Sequence, residues 1–288
     1  SQDGVKIELI ATLDSSNTNV LGDYQMGVAN SGTYDVIYYK FGFESDTIFN
    51  LALTAGNTIF QDIQLIPLGS TLFGQVIEQI TSNPIANTNV LISNGQFTTT
   101  LLTDASGSFL VPNFIDGQYD IFLGKWGYLT SCFSNQTMST ANNPNIYVLE
   151  RGIYDDFVFD YAWMVSGTVS TGDWEKGEPV GTTFGGVFSN PGVDVVTDCG
   201  REAYVTGNGG GNLGDDDIDG GITVLTSPIV NLSTYSDPYI HFDRWFFNGG
   251  ANQNDSLTIA INREPRKIVV SIVDVIDITQ VTKILRKI

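Results

Sequence analysis

The sequence predicts an all-β chain: two small antiparallel β-sandwiches in tandem, followed by a larger third sandwich. Three observations carry this. Short β-branched and aromatic runs recur about every 8–12 residues between Gly, Asn, Asp and Ser clusters, the punctuation of antiparallel sandwiches. An internal repeat is present at an offset of 85 residues. The chain has 288 residues and 42% hydrophobic content, which suits two or three modules at roughly 150 residues or fewer each.

The repeat is read first, because it fixes the organisation. Residues 18–43 align without a gap to residues 103–128. Gly22 matches Gly107, and Tyr24 matches Phe109. Gly32, Tyr34 and Asp35 match Gly117, Tyr119 and Asp120, while Lys40 and Gly42 match Lys125 and Gly127. Each early glycine supplies a turn that tolerates positive φ, followed by an aromatic entering a strand. In the first copy, strands are predicted at 5–10, 34–39 and 60–65. In the second they are predicted at 90–92, 119–123 and 145–149. The modules are accordingly placed at 1–67, 68–151 and 152–288.

Past residue 262 the composition changes. Six of the 13 basic residues fall in this tail, and no glycine follows Gly250. Residues 268–273 are apolar and β-branched and predict a strand. Residues 277–288 fit a strand or a short helix.

Charge excludes some functions. Lys and Arg total 13 against 32 Asp and Glu, a net charge of −19. A chain without a basic stripe is poorly suited to neutralising phosphates, so no nucleic-acid partner is expected. No apolar run reaches the roughly 18 residues of a membrane span. The chain opens Ser1-Gln2-Asp3-Gly4, without a basic and apolar leader, as expected of a mature secreted protein or an excised fragment. His241 is the one histidine, so a His-based zinc site cannot be assembled within the chain. Cys132 and Cys199 are the two cysteines and fall in different predicted modules. A disulfide and two thiols both remain open, two thiols being the simpler reading.

The pattern Thr-Asp-x-x-Gly-x-Phe, Gly-x-Tyr and Gly-Tyr in residues 103–128 resembles the carboxypeptidase regulatory-like, or transthyretin-like, modules. The resemblance covers 1–151 as two copies and implies non-catalytic spacer or fold-assisting units. The first copy begins without that family's opening strand, as a truncated start would.

Residues 152–262 carry different landmarks: Gly172-Asp173-Trp174-Glu175, Asp198-Cys199-Gly200, Thr206-Gly207-Asn208 and Asp219-Gly220-Gly221. They resemble the jelly-roll modules, loosely MAM-like or cleaved-adhesin-like, of secreted multidomain peptidases and adhesins of Bacteroidetes-type bacteria. The tail after Ile261 departs from that pattern, so an incomplete or unusually closed sandwich is expected.

The sharpest chemical candidate is Asp215-Asp216-Asp217-Ile218-Asp219-Gly220. Alternating carboxylates on a turn suit Ca²⁺, which takes 6–8 oxygen ligands. An EF-hand does not fit, since position twelve is Thr226 and no helices flank the loop. A solvated acidic loop is the plain alternative. The resemblance implies a structural Ca²⁺ site drawing on Glu175, Asp198 and Asp219, with Asp217 and Asp255 as further ligands. The glycines at 207–211 lack the Lys-Ser/Thr and helix of a phosphate loop.

His241 and Asp243 alternate onto one face of a predicted strand, but no nucleophile elbow accompanies them. Tyr239, Trp245 and Phe247 share that face and read first as core, second as a sugar-stacking platform. Glu44, Asp46, Glu175 and Glu178 show no spacing that singles out a glycosidase pair. No catalytic residue is expected. The predicted function is a non-catalytic accessory or spacer region, stabilised by calcium, of a secreted or cell-surface bacterial protein. Its partners would be neighbouring domains and an extracellular protein or glycan. A carbohydrate-binding module and a hydrolase using His241 are the alternatives.

Overall fold

The structure is a computed structural model. It describes residues 2–212, 214–215, 218–233, 241–245, 256–264, 267–275 and 280–286. The chain is all-β, with one 3₁₀ turn at Thr140–Asn142 among the described residues.

The first module holds β1 (Lys6–Leu9), β2 (Ser15–Asn17), β3 (Gly32–Tyr39) and β4 (Asp46–Leu53) in one antiparallel sheet, ordered β2-β1-β3-β4. Its core is Val5, Ile7, Leu9, Val36 and Tyr38, the inward positions of β1 and β3 and the residue leading into β1. The second module holds β5 (Ser70–Glu78), β6 (Asn89–Ser93), β7 (Thr98–Leu102), β8 (Ser108–Phe114), β9 (Gly117–Gly124), β10 (Ser131–Met138) and β11 (Asn145–Leu149). These form two sheets, β10-β9-β6-β7 and β11-β5-β8. Leu72, Val76, Val90, Ile92, Ile121, Leu123 and Leu149 lie between them, fully withdrawn from water. The closing strand β11 runs parallel to β5, although the alternation of its residues predicted only that it is a strand. A parallel neighbour requires a crossover rather than a hairpin.

The repeat survives down to single hydrogen bonds. The strands β3 and β9, and β4 and β10, coincide at the offset of 85. Asn19 and Asp104 cap the same turn, each side chain accepting the backbone N–H two and four residues on, at 2.8–3.0 Å. Asp35 and Asp120 accept the N–H of Asn50 and Asn135 at 2.8 and 2.9 Å. Both asparagines adopt positive φ, 53° and 51°, where each ladder slips its register. Tyr34 and Tyr119 donate to the carbonyls of Asn30 and Ile115.

One predicted strand fails. Residues 60–65 belong to no sheet, nor do 23–29, the counterparts of β8. In the second module both β8 and β11 are held by β5, and the first module has no strand in that place among the described residues.

The third module runs through β12 (Met164–Gly167), β13 (Trp174–Gly177), β14 (Thr182–Phe184), β15 (Val187–Phe188), β16 (Ala203–Thr206), β17 (Gly211–Asn212), β18 (Ile222–Thr226) and β19 (Val230–Asn231). It continues with β20 (His241–Arg244), β21 (Ser256–Glu264), β22 (Lys267–Val275) and β23 (Gln280–Arg286). One sheet is ordered β12-β18-β22-β19, with β21 also on β22; another is β13-β16-β23-β20. The compositionally odd tail is therefore central: β22 and β23 are interior strands of the two main sheets. The ambiguous 277–288 stretch supplies a strand, β23, rather than a helix.

Candidate functional site at the module junctions

Each repeat ends in Lys-aromatic-Gly-aromatic, and each of these segments plugs one module into the next. At the first junction Phe41 stacks on Phe97 of the second module, ring centroids 4.9 Å apart. It packs against that module's core rather than its own. At the second junction Trp126 packs into the third module's core, with Ile153, Phe157, Trp163 and Trp174 among its members. The indole Nε1 donates to the carbonyl of Ile229 at 3.0 Å, and the ring lies 5.5 Å from that of Tyr161.

The backbone of the junctions repeats as well. Gly42 and Gly127 both turn at positive φ, 83° and 95°. The N–H of Phe43 and of Tyr128 donate to the carbonyls of Lys40 and Lys125. Glu44 donates to Ile66 at 2.8 Å, and Leu129 to Glu150 at 2.9 Å. Leu68 donates back to Gly42, and Gly152 back to Gly127. Lys40 and Lys125 lie over the rings of Phe43 and Tyr128, at 5.8 and 6.0 Å. One connecting geometry is thus built twice.

The second junction is reinforced. Arg151 forms a two-pronged pair with Glu78, Nε to Oε1 at 2.5 Å and the second nitrogen to Oε2 at 2.9 Å. Planar guanidinium and carboxylate match in this geometry. The guanidinium, with help from the Thr81 hydroxyl, holds the Glu78 carboxyl below its usual range. Asp155 is buried and accepts from Trp163 Nε1 at 2.7 Å and from the N–H of Phe157 at 2.9 Å, fixing the connecting chain. Lys176 reaches the Phe157 carbonyl at 2.7 Å and pairs with Glu202 at 2.9 Å. Burial, and secondarily the carboxylates of Asp155 and Asp156, push the Tyr161 hydroxyl up. Burial also pushes Tyr204 up to about 12, ahead of Asp160, Asp155 and Glu202.

Cys132 on β10 and Cys199 in the third module form a disulfide, with Cα atoms 5.8 Å apart. This corrects the simpler reading of two thiols. The spacing of the cysteines in sequence gave no hint of it, because the docking of the modules brings them together.

Three of the predicted calcium ligands, Glu175, Asp198 and Asp219, lie among the described residues. Glu175 on β13 accepts the N–H of Asn208 at 2.7 Å, tying the 207–211 loop to that strand. Asp219 bridges to Thr171, whose hydroxyl donates to its carboxylate at 3.3 Å. Asp215 accepts from Asn212 N at 2.8 Å and closes a turn. Asp198 is half-buried just before the disulfide. Among the described residues no group of three His, Cys, Asp or Glu side chains is placed to hold a metal ion. Asp216, Asp217 and Asp255 lie outside the described residues.

His241 and Asp243 lie on β20, and the ladder with β23 slips between them, so the alternation expected there is interrupted. Trp245 is 45% exposed, not core, and its Nε1 donates to the Ser189 carbonyl. Phe184, Val187 and Phe188 are exposed on the hairpin beside Ser189. Tyr239 and Phe247 lie outside the described residues.

No family model matches the chain, and no curated protein matches it. Among solved structures, the Bacillus anthracis TIE protein is similar over 52% of this chain and 31% of that one. The identity is 17% and the TM-score 0.22. The match thus spans about a third of that protein's length, and a likeness of this size carries no argument about function.

Proposed function

We propose that the chain is a non-catalytic spacer of a secreted or cell-surface multidomain protein, holding adjoining domains at a set separation and orientation. The observation that carries it is the duplicated junction. An aromatic from each leading module, partly buried, packs against the core of the module that follows, and at the second junction a disulfide adds a covalent tie. Inter-domain surfaces in general permit relative motion unless they are apolar and substantial. The disulfide suits an oxidising compartment. The resemblance of 1–151 to regulatory-like modules of secreted peptidases and adhesins points the same way. Structural calcium at the 215–219 acidic run belongs to this proposal, supported by carboxylate repulsion there and by the resemblance of the third module.

Small-angle scattering and inter-module distance measurements test the reading. The wild type gives a narrow distribution between labels on the first and third modules. Phe41→Ala and Trp126→Ala each broaden it. Distributions unchanged by both substitutions overturn the spacer reading, as does a hydrolytic activity abolished by His241→Ala.

A carbohydrate-binding role is the second reading, carried by the half-exposed Trp245 indole beside the exposed aromatics of the β14–β15 hairpin. Glycan-array binding that disappears in Trp245→Ala supports it.

A further inference from the structure

The three-stranded sheet β11-β5-β8 of the second module is apolar on both faces. Its inner face supplies Leu72, Val76, Phe109, Val111, Tyr147 and Leu149 to the core. Its outer face turns Phe73, Leu110, Ile146 and Val148 to water, at 47%, 57%, 49% and 43% exposure. The registers set these side by side. Phe73 lies opposite Leu110, while Ile146 and Val148 lie beside Gln75 and Ile77, the next outward positions of β5. An apolar stripe thus crosses all three strands from β8 to β11. We propose that a second copy of the chain docks on this face, sheet against sheet, about a two-fold axis.

The repeat shows that the fold does not require the stripe. Leu110 and Pro112 correspond to Gln25 and Gly27 at the offset of 85. The matched junction bonds, Leu129 to Glu150 and Glu44 to Ile66, align β11 with 61–65 at an offset of 84. Ile146 and Val148 then correspond to Asp62 and Gln64. Gln25, Asp62 and Gln64 are exposed as well. The same outward positions are therefore polar in one copy and apolar in the other. Apolar side chains there gain nothing until another surface removes them from water.

Charge selects the occupant. Residues 71–77, 108–112 and 146–148 include no Lys, Arg, Asp or Glu. In a chain of net charge −19, like-charge repulsion opposes the approach of a second copy in general. On this face two copies meet without opposing carboxylates, whereas a basic partner would gain no ion pair. Gln75, the polar side chain within the stripe, already has its amide nitrogen engaged by the Ser106 carbonyl at 2.9 Å. A flat apolar stripe is also its own complement, as a two-fold contact demands.

Area sets the strength. The face spans about 30 Å along β5 and about 14 Å across three strands. Two copies meeting on it bury on the order of 1,000 Å² in total, where specific association begins. The pairing is accordingly weak and reversible, with a dissociation constant in the tens of micromolar.

The test is sedimentation equilibrium of the full chain from micromolar to submillimolar concentration. The average mass is expected to rise toward twice that of the monomer and to stop there. Added salt is expected to strengthen the pairing, by screening repulsion between the acidic copies. The triple variant Leu110→Gln, Ile146→Asp, Val148→Gln carries the first module's residues at these positions and is expected to stay monomeric. If it does not fold, two single variants decide. Leu110→Gln is expected to weaken pairing about tenfold. Leu102→Gln, at a residue equally exposed but on β7 of the other sheet, is expected to leave it unchanged. The proposal is overturned by a mass that stays monomeric throughout, by growth past the dimer, or by pairing that weakens with salt. Pairing that survives in the folded triple variant, or equal effects of Leu110→Gln and Leu102→Gln, also overturn it.

Discussion

Gly42 and Gly127 occupy the same place in successive junctions, with the same left-handed turn, but only Gly42 is crowded. A Cβ at Gly42 would lie 2.6 Å from the carbonyl oxygen of Asn113, while one at Gly127 meets nothing within 4 Å. The pair separates backbone strain from steric overlap. Gly127→Ala is expected to cost about 1–2 kcal/mol, the penalty of a side chain in that conformation. Gly42→Ala is expected to cost about 3 kcal/mol, with overpacking added. Urea titration of the two variants checks this, and equal costs would show that the first junction yields.

Trp126 joins packing to a hydrogen bond. Trp126→Ala is expected to lose about 3 kcal/mol, read as earlier melting of the third module. Trp126→Phe keeps a ring but leaves the Ile229 carbonyl without its indole donor, and is expected to lose about 1 kcal/mol. Similar losses in both variants would make the hydrogen bond, rather than the ring, the main contributor.

The disulfide closes a loop with a sequence separation of 67. Loop-closure entropy at that length corresponds to ~4 kcal/mol. A phosphine reductant is expected to lower the melting temperature of the second and third modules and to leave the first unaffected. The Cys132→Ala, Cys199→Ala double variant should melt like the reduced protein and ignore the reductant.

Acid should act first on the second module. Glu78, Asp104 and Asp116 all have lowered carboxyl pKa values, through Arg151, Ser106 and Ser139 respectively. A lowered folded-state pKa stabilises the fold above the ordinary values, 4.5 for Glu and 3.8 for Asp, and that contribution is lost as pH falls through the folded-state values. Melting temperatures are therefore expected to hold from pH 7 to about pH 5 and to drop in more acidic buffer. Glu78→Gln flattens part of that drop. A variant as acid-sensitive as the wild type would remove Glu78 from this account.

Calcium added after exhaustive chelation is expected to raise the melting temperature of the third module, with magnesium inactive, since a ligand specific to the native state stabilises it. No shift would leave the 215–219 run as a solvated turn capped by Asp215.

What was legible in the sequence was local. Gly22 and Gly107, with Asn19 and Asp104 ahead of them, define turns by their own chemistry, and the strands after Gly32 and Gly117 alternate cleanly. The failures were non-local. Residues 60–65 have a strand's pattern and no strand beside them among the described residues. Trp126 and Phe41 look like ordinary core aromatics, and only the structure shows that the core they enter belongs to the following module. The signal was present nonetheless, in the Lys-aromatic-Gly-aromatic ending of each repeat. Asp155 gave no signal, because one aspartate in an acidic chain reveals its burial only once Trp163 is placed against it.

The order of strands in the third module bears on how it is made. β22 and β23 sit between strands synthesised earlier, and β16 waits for its second partner, Tyr204 pairing with Thr282, 78 residues further on. Such distant pairing is slow to find. On the ribosome the first two modules can mature in sequence, while β16 and β18 emerge with their interior edges open. Cys199 leaves the ribosome before those edges are closed. A bond to Cys132, in a module already folded, would anchor the unfinished chain against its finished neighbour until β22 and β23 arrive.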